Sequence, residues 1–361
     1  MKKNMKKILI ISTVGLIYDG ITSVITSYLE AMDKSGLDIY VVSTINSEAK
    51  IEEKLNRMGC KVVYMPSRKE NTIKYFLSLI AFIRKNNIDV VHAHGNSGTL
   101  AVEMVAAWLG GSKKRIAHSH NTKCNQVKAD KILRPIFNMF YTVGLACGEN
   151  AGKWLFGNKK FEVLTNGRDI DVYRFNVNKR NYIRSLYNID KEIVIGHVGG
   201  FFEQKNHKFL TEIYKEIRKI EPTCKLFMIG DGPLKNEIET ECEGLNVIFT
   251  GAIDNVADYL NAMDGMLLPS LFEGLPLVAI EWQINGLPCI FSDAITKECI
   301  LTNNVESYSL DCSPKIWAQH IIDMCKSNDR EKTSNISYEK LIASKYNLNK
   351  NVDRLKQIYI K

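Results

Sequence analysis

Residues 6–32 read KKILIISTVGLIYDGITSVITSYLEAM, and this stretch decides the fold. Lys6–Ile11 is a continuous apolar run of strand length, Ser12–Gly20 is a glycine-containing loop, and from Ile21 to Met32 the apolar residues recur at helical spacing. That is the opening of a β-loop-α unit, and a strand with no polar alternation is one buried on both faces of a parallel sheet. Outward from it the same grammar repeats. Strand runs are expected at Asp38–Ser43, Lys61–Met65, Asp89–Ala93, Arg115–Ser119 and Thr142–Cys147, with helices such as Glu48–Met58 and Ile73–Asn86 between them. Val163–Asn176 breaks the rhythm around Asn166-Gly167 and reads as an interdomain junction. The pattern then restarts, with strands at Ile193–Val198, Lys225–Ile229, Asn246–Thr250, Gly265–Leu268 and Leu287–Phe291. Helices are expected at Lys208–Ile220, Leu234–Cys242, Val256–Asn261 and Val278–Asn285. The fold class is therefore α/β, two tandem Rossmann-like doubly wound parallel-sheet domains facing a central cleft, since ligands bind outside the carboxyl ends of such strands. The expected domains are 1–170 and 171–345. Residues 346–361 continue a helical periodicity that runs from Ser337 through Leu341, Tyr346, Leu355 and Ile358, and form a C-terminal helix able to pack back on the first domain.

The length of 361 residues suits two domains, and 45% hydrophobic and 24% charged residues with 23 glycines and 8 prolines are the composition of a globular chain, not a disordered or collagenous one. The longest apolar runs, such as Leu77–Ile83, fall far short of a membrane helix. Met1–Lys7 is basic, but the apolar stretch behind it is short and no small-residue cleavage site follows, so a cytoplasmic protein is expected. The nine cysteines are scattered without a Cys-x-x-Cys pair and read as reduced thiols. The net charge of +8 is unevenly spread: residues 1–178 hold 26 Lys+Arg against 15 Asp+Glu, a balance of +11, and residues 179–361 hold 22 against 25, a balance of −3. A basic half attracts nucleic acid, an anionic membrane or a phosphorylated substrate. No helix-turn-helix, zinc-finger or RNP signature supports the first.

Four segments carry groups suited to chemistry. Gly199-Gly200-Phe201-Phe202-Glu203-Gln204-Lys205-Asn206-His207 follows a strand, where glycine lets backbone N–H groups approach a phosphate and Lys205 adds a charge. The spacing matches neither the dinucleotide nor the Walker fingerprint, and a plain βα turn reads equally well. Pro269–Glu281 sets Glu273 in a loop and Glu281 on the helix that the loop opens. Two carboxylates so placed can accept hydrogen bonds from the hydroxyls of two polyol rings; a solvated Glu273 and a salt-bridged Glu281 are the bland alternative, less comfortable for Glu281 among Val278, Ala279, Ile280 and Trp282. His92-Ala93-His94 and His118-Ser119-His120 each put two imidazoles on one strand face, a spacing able to bind zinc. No cysteine or carboxylate stands at a supporting distance, so no metal is expected. Asp169-Ile170-Asp171 lies in the junction and is likewise not read as a metal motif.

Taken together, the Glu273 and Glu281 spacing, the Gly199…Gln204-Lys205-Asn206 turn, Gly230-Asp231-Gly232-Pro233, Asn166-Gly167 with Asp169, and His118-Ser119-His120 resemble glycosyltransferase family 4, retaining enzymes of the GT-B fold, in the capsule and exopolysaccharide branch. The likeness spans nearly the whole chain. It implies an N-terminal acceptor-binding domain and a C-terminal nucleotide-sugar domain. It also implies transfer of a hexose or N-acetylhexosamine from a UDP-sugar to a lipid-linked saccharide, without a metal or other cofactor. Glu281 would hold the ribose, Glu273 would meet the transferred sugar, and Lys205 would neutralise the diphosphate with Gly199, Gly200 and the amides of Gly274 and Leu275. Gly230 and Gly232, with Ala252 and Ile253, would flank the base; His120 would sit near the donor sugar; and Gly15 and Gly20 would pass close to phosphate and acceptor. Glu273, His120 and Lys205 form the expected catalytic set.

One departure stands out. Most members of the family it resembles read Gly-Arg after this strand, with the arginine on the diphosphate, where this chain has Gly199-Gly200, and glycine cannot replace a bidentate guanidinium. Arg168 is the candidate substitute cation, acting from the other side of the cleft. The competing readings are a non-catalytic nucleotide-sugar-binding subunit and a nucleotide-sugar epimerase of the same fold. Lys74, Arg84 and Lys85 flank the apolar stretch Tyr75–Ile83, and Lys113, Lys114, Arg115, Lys123, Lys128, Lys131 and Arg134 crowd near Trp108, Ile132, Leu133, Ile136, Phe137 and Phe140. This pattern suits a peripheral position on the inner face of an anionic membrane as well as it suits a solvated cationic edge.

Overall fold

The computed structural model describes residues 5–17, 19–44 and 47–361; the basic start Met1–Asn4 and Tyr18 of the first loop lie outside these. It has two compact units, one made of residues 1–167 and 348–361 and the other of residues 168–347.

The first unit is a seven-stranded, wholly parallel sheet. Its strands are β1 (Lys6–Ser12), β2 (Leu37–Ser43), β3 (Lys61–Tyr64), β4 (Val90–His94), β5 (Lys114–Ser119), β6 (Val143–Ala146) and β7 (Glu162–Val163), in the spatial order β3-β2-β1-β4-β5-β6-β7. Alternate strand residues feed two cores. Ile8, Ile10 and Val41 pack under the helices Gly20–Ala31 and Ala49–Arg57, while Leu9, Ile11 and Val91 pack under Thr72–Asn86 and Ala101–Gly110. Asp19 starts the first of these helices, its Oδ1 accepting from the Thr22 amide at 2.8 Å.

The second unit repeats the plan with six parallel strands, β8 (Val194–Val198), β9 (Lys225–Ile229), β10 (Val247–Gly251), β11 (Gly265–Leu268), β12 (Cys289–Ser292) and β13 (Val305–Tyr308), in the order β10-β9-β8-β11-β12-β13. The helices His207–Ile220 and Pro314–Ser327 cover one face, and Val256–Ala262 and Leu277–Ile284 the other. In both sheets the strand order reverses where the first and fourth strands lie side by side, so the loops leaving β1 and β4, and those leaving β8 and β11, flank the crevices in which such sheets bind ligands.

The C-terminal segment departs from a single helix. Arg330–Ile342 ends where the Asn347 side-chain amide donates to the Ile342 carbonyl at 2.8 Å, satisfying an orphan acceptor of its last turn. A new helix runs Leu348–Ile360. Tyr346 and Leu341 are buried with Ile280 and Ile284 in the second unit, whereas Leu348, Leu355 and Ile358 join the core of the first. The regular spacing of apolar residues therefore serves two different cores.

Candidate active site

The second unit gathers its chemistry at its topological switch point. Beyond β8 the chain makes a single 3-10 turn, Glu203–Lys205, and Asn206 reverses it in the left-handed region (φ 55°), which asparagine tolerates. The loop is braced by its neighbours, with the Gly199 amide donating to Ile229 O (2.9 Å) and the Phe201 amide to Asp231 O (3.0 Å). This backbone-to-backbone stacking is why two glycines recur. A Cβ on Gly230 (φ 146°) would lie 2.1 Å from Gly199 O, and one on Gly232 would lie 2.8 Å from the Phe201 backbone.

Lys205 projects from this loop to the Glu273 carboxylate, Nζ to Oε1 2.5 Å, with both side chains largely buried. Glu273, in the loop after β11, also accepts from Gln204 Nε2 (3.1 Å) and Ser270 Oγ (3.1 Å). Three donors thus fix one acid. The sequence named Gln204 only as part of the Gly199…Gln204-Lys205-Asn206 turn and gave Ser270 no role, so their bracing of Glu273 is new from the structure. Gly274 follows, exposed, and a Cβ there would meet nothing within 4 Å, so packing within the unit does not demand glycine. Ala252 is exposed at the end of β10, and Ile253 packs partly into the core.

Glu281 is the fifth residue of the helix Leu277–Ile284 and is only 5% exposed. Arg168 Nε donates to its Oε1 at 2.5 Å. Burial pushes the Glu281 carboxyl above the ordinary range; the Arg168 charge and hydrogen bond pull it back, as does a hydrogen bond from Tyr173. Arg168 was expected across the cleft from the donor residues, but it belongs to the same unit as Glu281 and is held there by its amide bond to Tyr346 O (2.8 Å). Its guanidinium faces the proposed ribose acid. The Gly200 departure also has a local correlate: a Cβ on Gly200 would lie 2.7 Å from the ring of Phe202, so that ring covers the spot from which an arginine would leave. Beneath the loop, His197 and His207 are buried and kept neutral by burial first and by Lys205 among the neighbouring charges; the His207 ring is pushed down to about 4.

In the first unit the residues singled out from the sequence lie in the loop after β1 and at the ends of β4 and β5. Gly15 (φ 88°) sits in the left-handed region, and Gly20 is exposed in open space at the start of its helix. The four histidines meet across the sheet. His94 and His118 are in register on β4 and β5, His92 Nε2 lies 3.2 Å from His118 Nδ1, and His94 Nδ1 lies 2.8 Å from His120 Nε2. Ligating atoms of His92, His94 and His118 fall within 4.8 Å of one another. The rings, however, lie face to face, tilted by 7° for His92 and His118 and by 23° for His94 and His120. Two of the contacts between them are hydrogen bonds. Burial drives all four imidazoles below the usual histidine range, His120 to about 4, so they are neutral at pH 7.

The basic face is thinner than its residue count suggests. Arg134 is spent on Asp130 and on the carbonyls of Trp154 and Leu155, Arg84 on Leu109 O, and Arg115 on Phe140 O. Arg134 is therefore corrected from a surface cation to a structural one. Lys128 and Lys131 remain exposed on the helix Val127–Phe140, beside Ile132 (72% exposed) and Met139 (76%).

Family models agree with this layout. Residues 192–327 match the "Glycosyl transferases group 1" model and residues 18–172 the "Glycosyltransferase Family 4" model. The putative glycosyltransferase EpsF of Bacillus subtilis is 30% identical over 99% of this chain and 97% of that protein. The chain belongs to glycosyltransferase family 4. A second relative of this family-4 transferase is the Escherichia coli UDP-Gal:alpha-D-GlcNAc-diphosphoundecaprenol alpha-1,3-galactosyltransferase, 26% identical over 80% of this chain and 79% of that one. Among solved structures, Anabaena Alr3699/HepE in complex with UDP superposes with a TM-score of 0.76 at 14% identity, covering 97% of this chain and 99% of that one. The transferase has the GT-B architecture, and among its relatives is a Staphylococcus aureus glycosyltransferase, 25% identical over 90% of this chain and 90% of that one, named for capsular polysaccharide biosynthesis.

Proposed function

We propose that this transferase moves a hexose or N-acetylhexosamine from a UDP-sugar to a lipid-linked saccharide with retention of anomeric configuration. The observation that carries the reading is the pairing of both acids with cations at one switch point, Glu273 with Lys205 and Glu281 with Arg168. A nucleotide-sugar brings what these pairs can exchange for: its diphosphate takes the charge of Lys205, its hexose hydroxyls bond to Glu273, and its ribose hydroxyls bond to Glu281. The relative named for a UDP-galactose donor and a diphosphoundecaprenol acceptor, and the neighbour solved with UDP, support this donor and acceptor class.

In the reaction the bond from the anomeric carbon to the diphosphate oxygen breaks, and the acceptor oxygen bonds to that carbon on the same face. The acceptor proton passes to the departing phosphate. Lys205 and the fixed amides stabilise the charge gathering on that phosphate, and no side-chain base or metal is required. Incubating the purified protein with a panel of nucleotide-sugars and an undecaprenyl-diphosphate saccharide tests the reading. UDP release that depends on acceptor, with NMR showing the donor's anomeric configuration in the product, is expected. Normal donor binding without transfer from any donor would favour the non-catalytic alternative, and a changed free nucleotide-sugar would favour the epimerase.

Exposed Ile132 and Met139 beside Lys128 and Lys131 favour a peripheral seat on an anionic membrane, where a lipid-linked acceptor resides. No helix among the described residues is long and apolar enough to cross a membrane.

A further inference from the structure

We infer that His94 is a positioning residue for His120, holding that ring through its Nε2 so that Nδ1 is the nitrogen presented to the transferred sugar. The part of this inference that concerns the sugar rests on the function proposed above.

A neutral imidazole has one N–H and one lone pair, and which nitrogen bears the proton is set by its partners. His94 Nδ1 and His120 Nε2 are 2.8 Å apart, so one donates and the other accepts. That contact consumes one nitrogen of His120. Its amide is separately pinned, donating to Asn96 Oδ1 at 2.9 Å, so both the backbone and the ring plane are fixed. Among the described residues His120 Nδ1 has no hydrogen-bond partner, yet it is not among the enclosed unpartnered atoms, and the residue is partly exposed. It is therefore the accessible polar atom of the ring.

The second rung of the ladder contrasts with the first. His92 spans from Tyr359 Oη (Nδ1, 2.7 Å), on the helix Leu348–Ile360, to His118 Nδ1, and His118 Nε2 ends enclosed and without a partner. Ile10, Val24, Tyr28 and Leu355 line the apolar space beside it. That rung is closed to a ligand, whereas the His94–His120 rung opens at one end. Four uncharged, stacked rings with no acid among them hold one another without carrying a charge.

The test reads the tautomer directly, with no need for turnover. Two-bond proton–nitrogen correlation spectra of histidine-labelled full-length protein, assigned with His120→Ala, are expected to show His120 neutral and in one tautomer at pH 7. His94→Ala should turn that signal into a mixture, and His92→Phe should leave it unchanged. In transfer assays His94→Ala should lower kcat about tenfold, the kinetic worth of one hydrogen bond, with donor KM little changed. His94→Ala combined with His120→Ala should be no slower than His120→Ala alone. A mixed tautomer in the wild type, an unchanged spectrum in His94→Ala, additive losses, or one equivalent of zinc shifting the His92, His94 and His118 signals together would each overturn the inference. A coupled spectrum with full transfer by His120→Ala would overturn only the sugar-facing role.

Discussion

Replacing Arg168 with alanine tests whether this arginine serves Glu281. The acid is 5% exposed and sits in a helix whose neighbours are apolar, so without the guanidinium its charge is supported chiefly by Tyr173. Removing one partner of a buried pair costs about 3–5 kcal/mol; with 17% of the arginine side chain still exposed, about 2–3 kcal/mol is expected here. For a unit of this size that is a fall in Tm of about 5–10 °C. The deficit should depend on pH. Burial already holds the Glu281 carboxyl high, and loss of Arg168 raises it further, so the folded variant binds that proton more tightly than the unfolded chain does. The extra instability is absent below about pH 4, where both states are protonated, and grows as pH rises until the folded carboxyl has titrated. Thermal unfolding followed from acid to neutral pH measures it. Arg168→Ala combined with Glu281→Gln should recover most of the loss, because a neutral amide needs no counter-charge. A deficit that does not change with pH, or a double variant no more stable than Arg168→Ala, would refute the account and return Arg168 to the role of a cation for the diphosphate.

Three further outcomes concern the same site, and a fourth concerns the exposed basic helix Val127–Phe140. Lys205→Ala should lower kcat/KM about 100-fold or more, the loss typical of one preorganised donor at a developing oxyanion, and scanning fluorimetry should show a lower Tm as well, since Glu273 loses its buried cation and keeps only Gln204 and Ser270 as donors. Gly200→Arg has to displace the Phe202 ring, which is 55% exposed and able to swing out; the native protein should already transfer well in the radiolabelled-sugar assay, and the arginine should bring no large gain. Chelation with EDTA should leave the transfer rate where it was, read in the same assay. Flotation with anionic liposomes should weaken in a Lys128→Glu, Lys131→Glu variant and weaken further when Ile132 and Met139 also become serine, while neutral liposomes bind poorly throughout.

Much of the architecture was legible because parallel strands buried on both faces leave unbroken apolar runs. Lys225–Ile229 and Gly265–Leu268 occupy the residues expected of them, and the other anticipated strands shift by a residue or two at their ends. What escaped has a physical reason in each case. The helix Ala101–Gly110 is apolar on nearly every side, so it shows no helical stripe, and its lone acid, Glu103, is buried against Arg68 Nε at 2.7 Å. The helix Val127–Phe140 contains Pro135, which argues against a helix interior. The edge strand Val305–Tyr308 has only four residues, too few for a periodic signal. At the site, the two acids and Lys205 could be named from spacing and resemblance. Arg168 could be named too, but not its partner, since nothing in the sequence links position 168 to position 281. The histidine pairs were visible one strand at a time. Only the parallel register of β4 and β5, which sets His94 opposite His118, turns two His-x-His motifs into one array.

The helix Leu348–Ile360 has a consequence for how the protein is made. Its Leu348, Val352, Leu355 and Tyr359 complete the core of the first unit, yet the ribosome reaches them only after the whole of residues 168–347. The first sheet therefore leaves the exit tunnel with an apolar groove against Ile25, Tyr28 and Leu29 still open, while the second unit has every residue it needs as soon as Asn347 emerges. Synthesis order and maturation order are reversed: the unit made first is finished last. A stop codon before Leu348 would then spare the second domain and leave the first one aggregation-prone, a chaperone client marked by a defect nearly two hundred residues downstream of its own sheet.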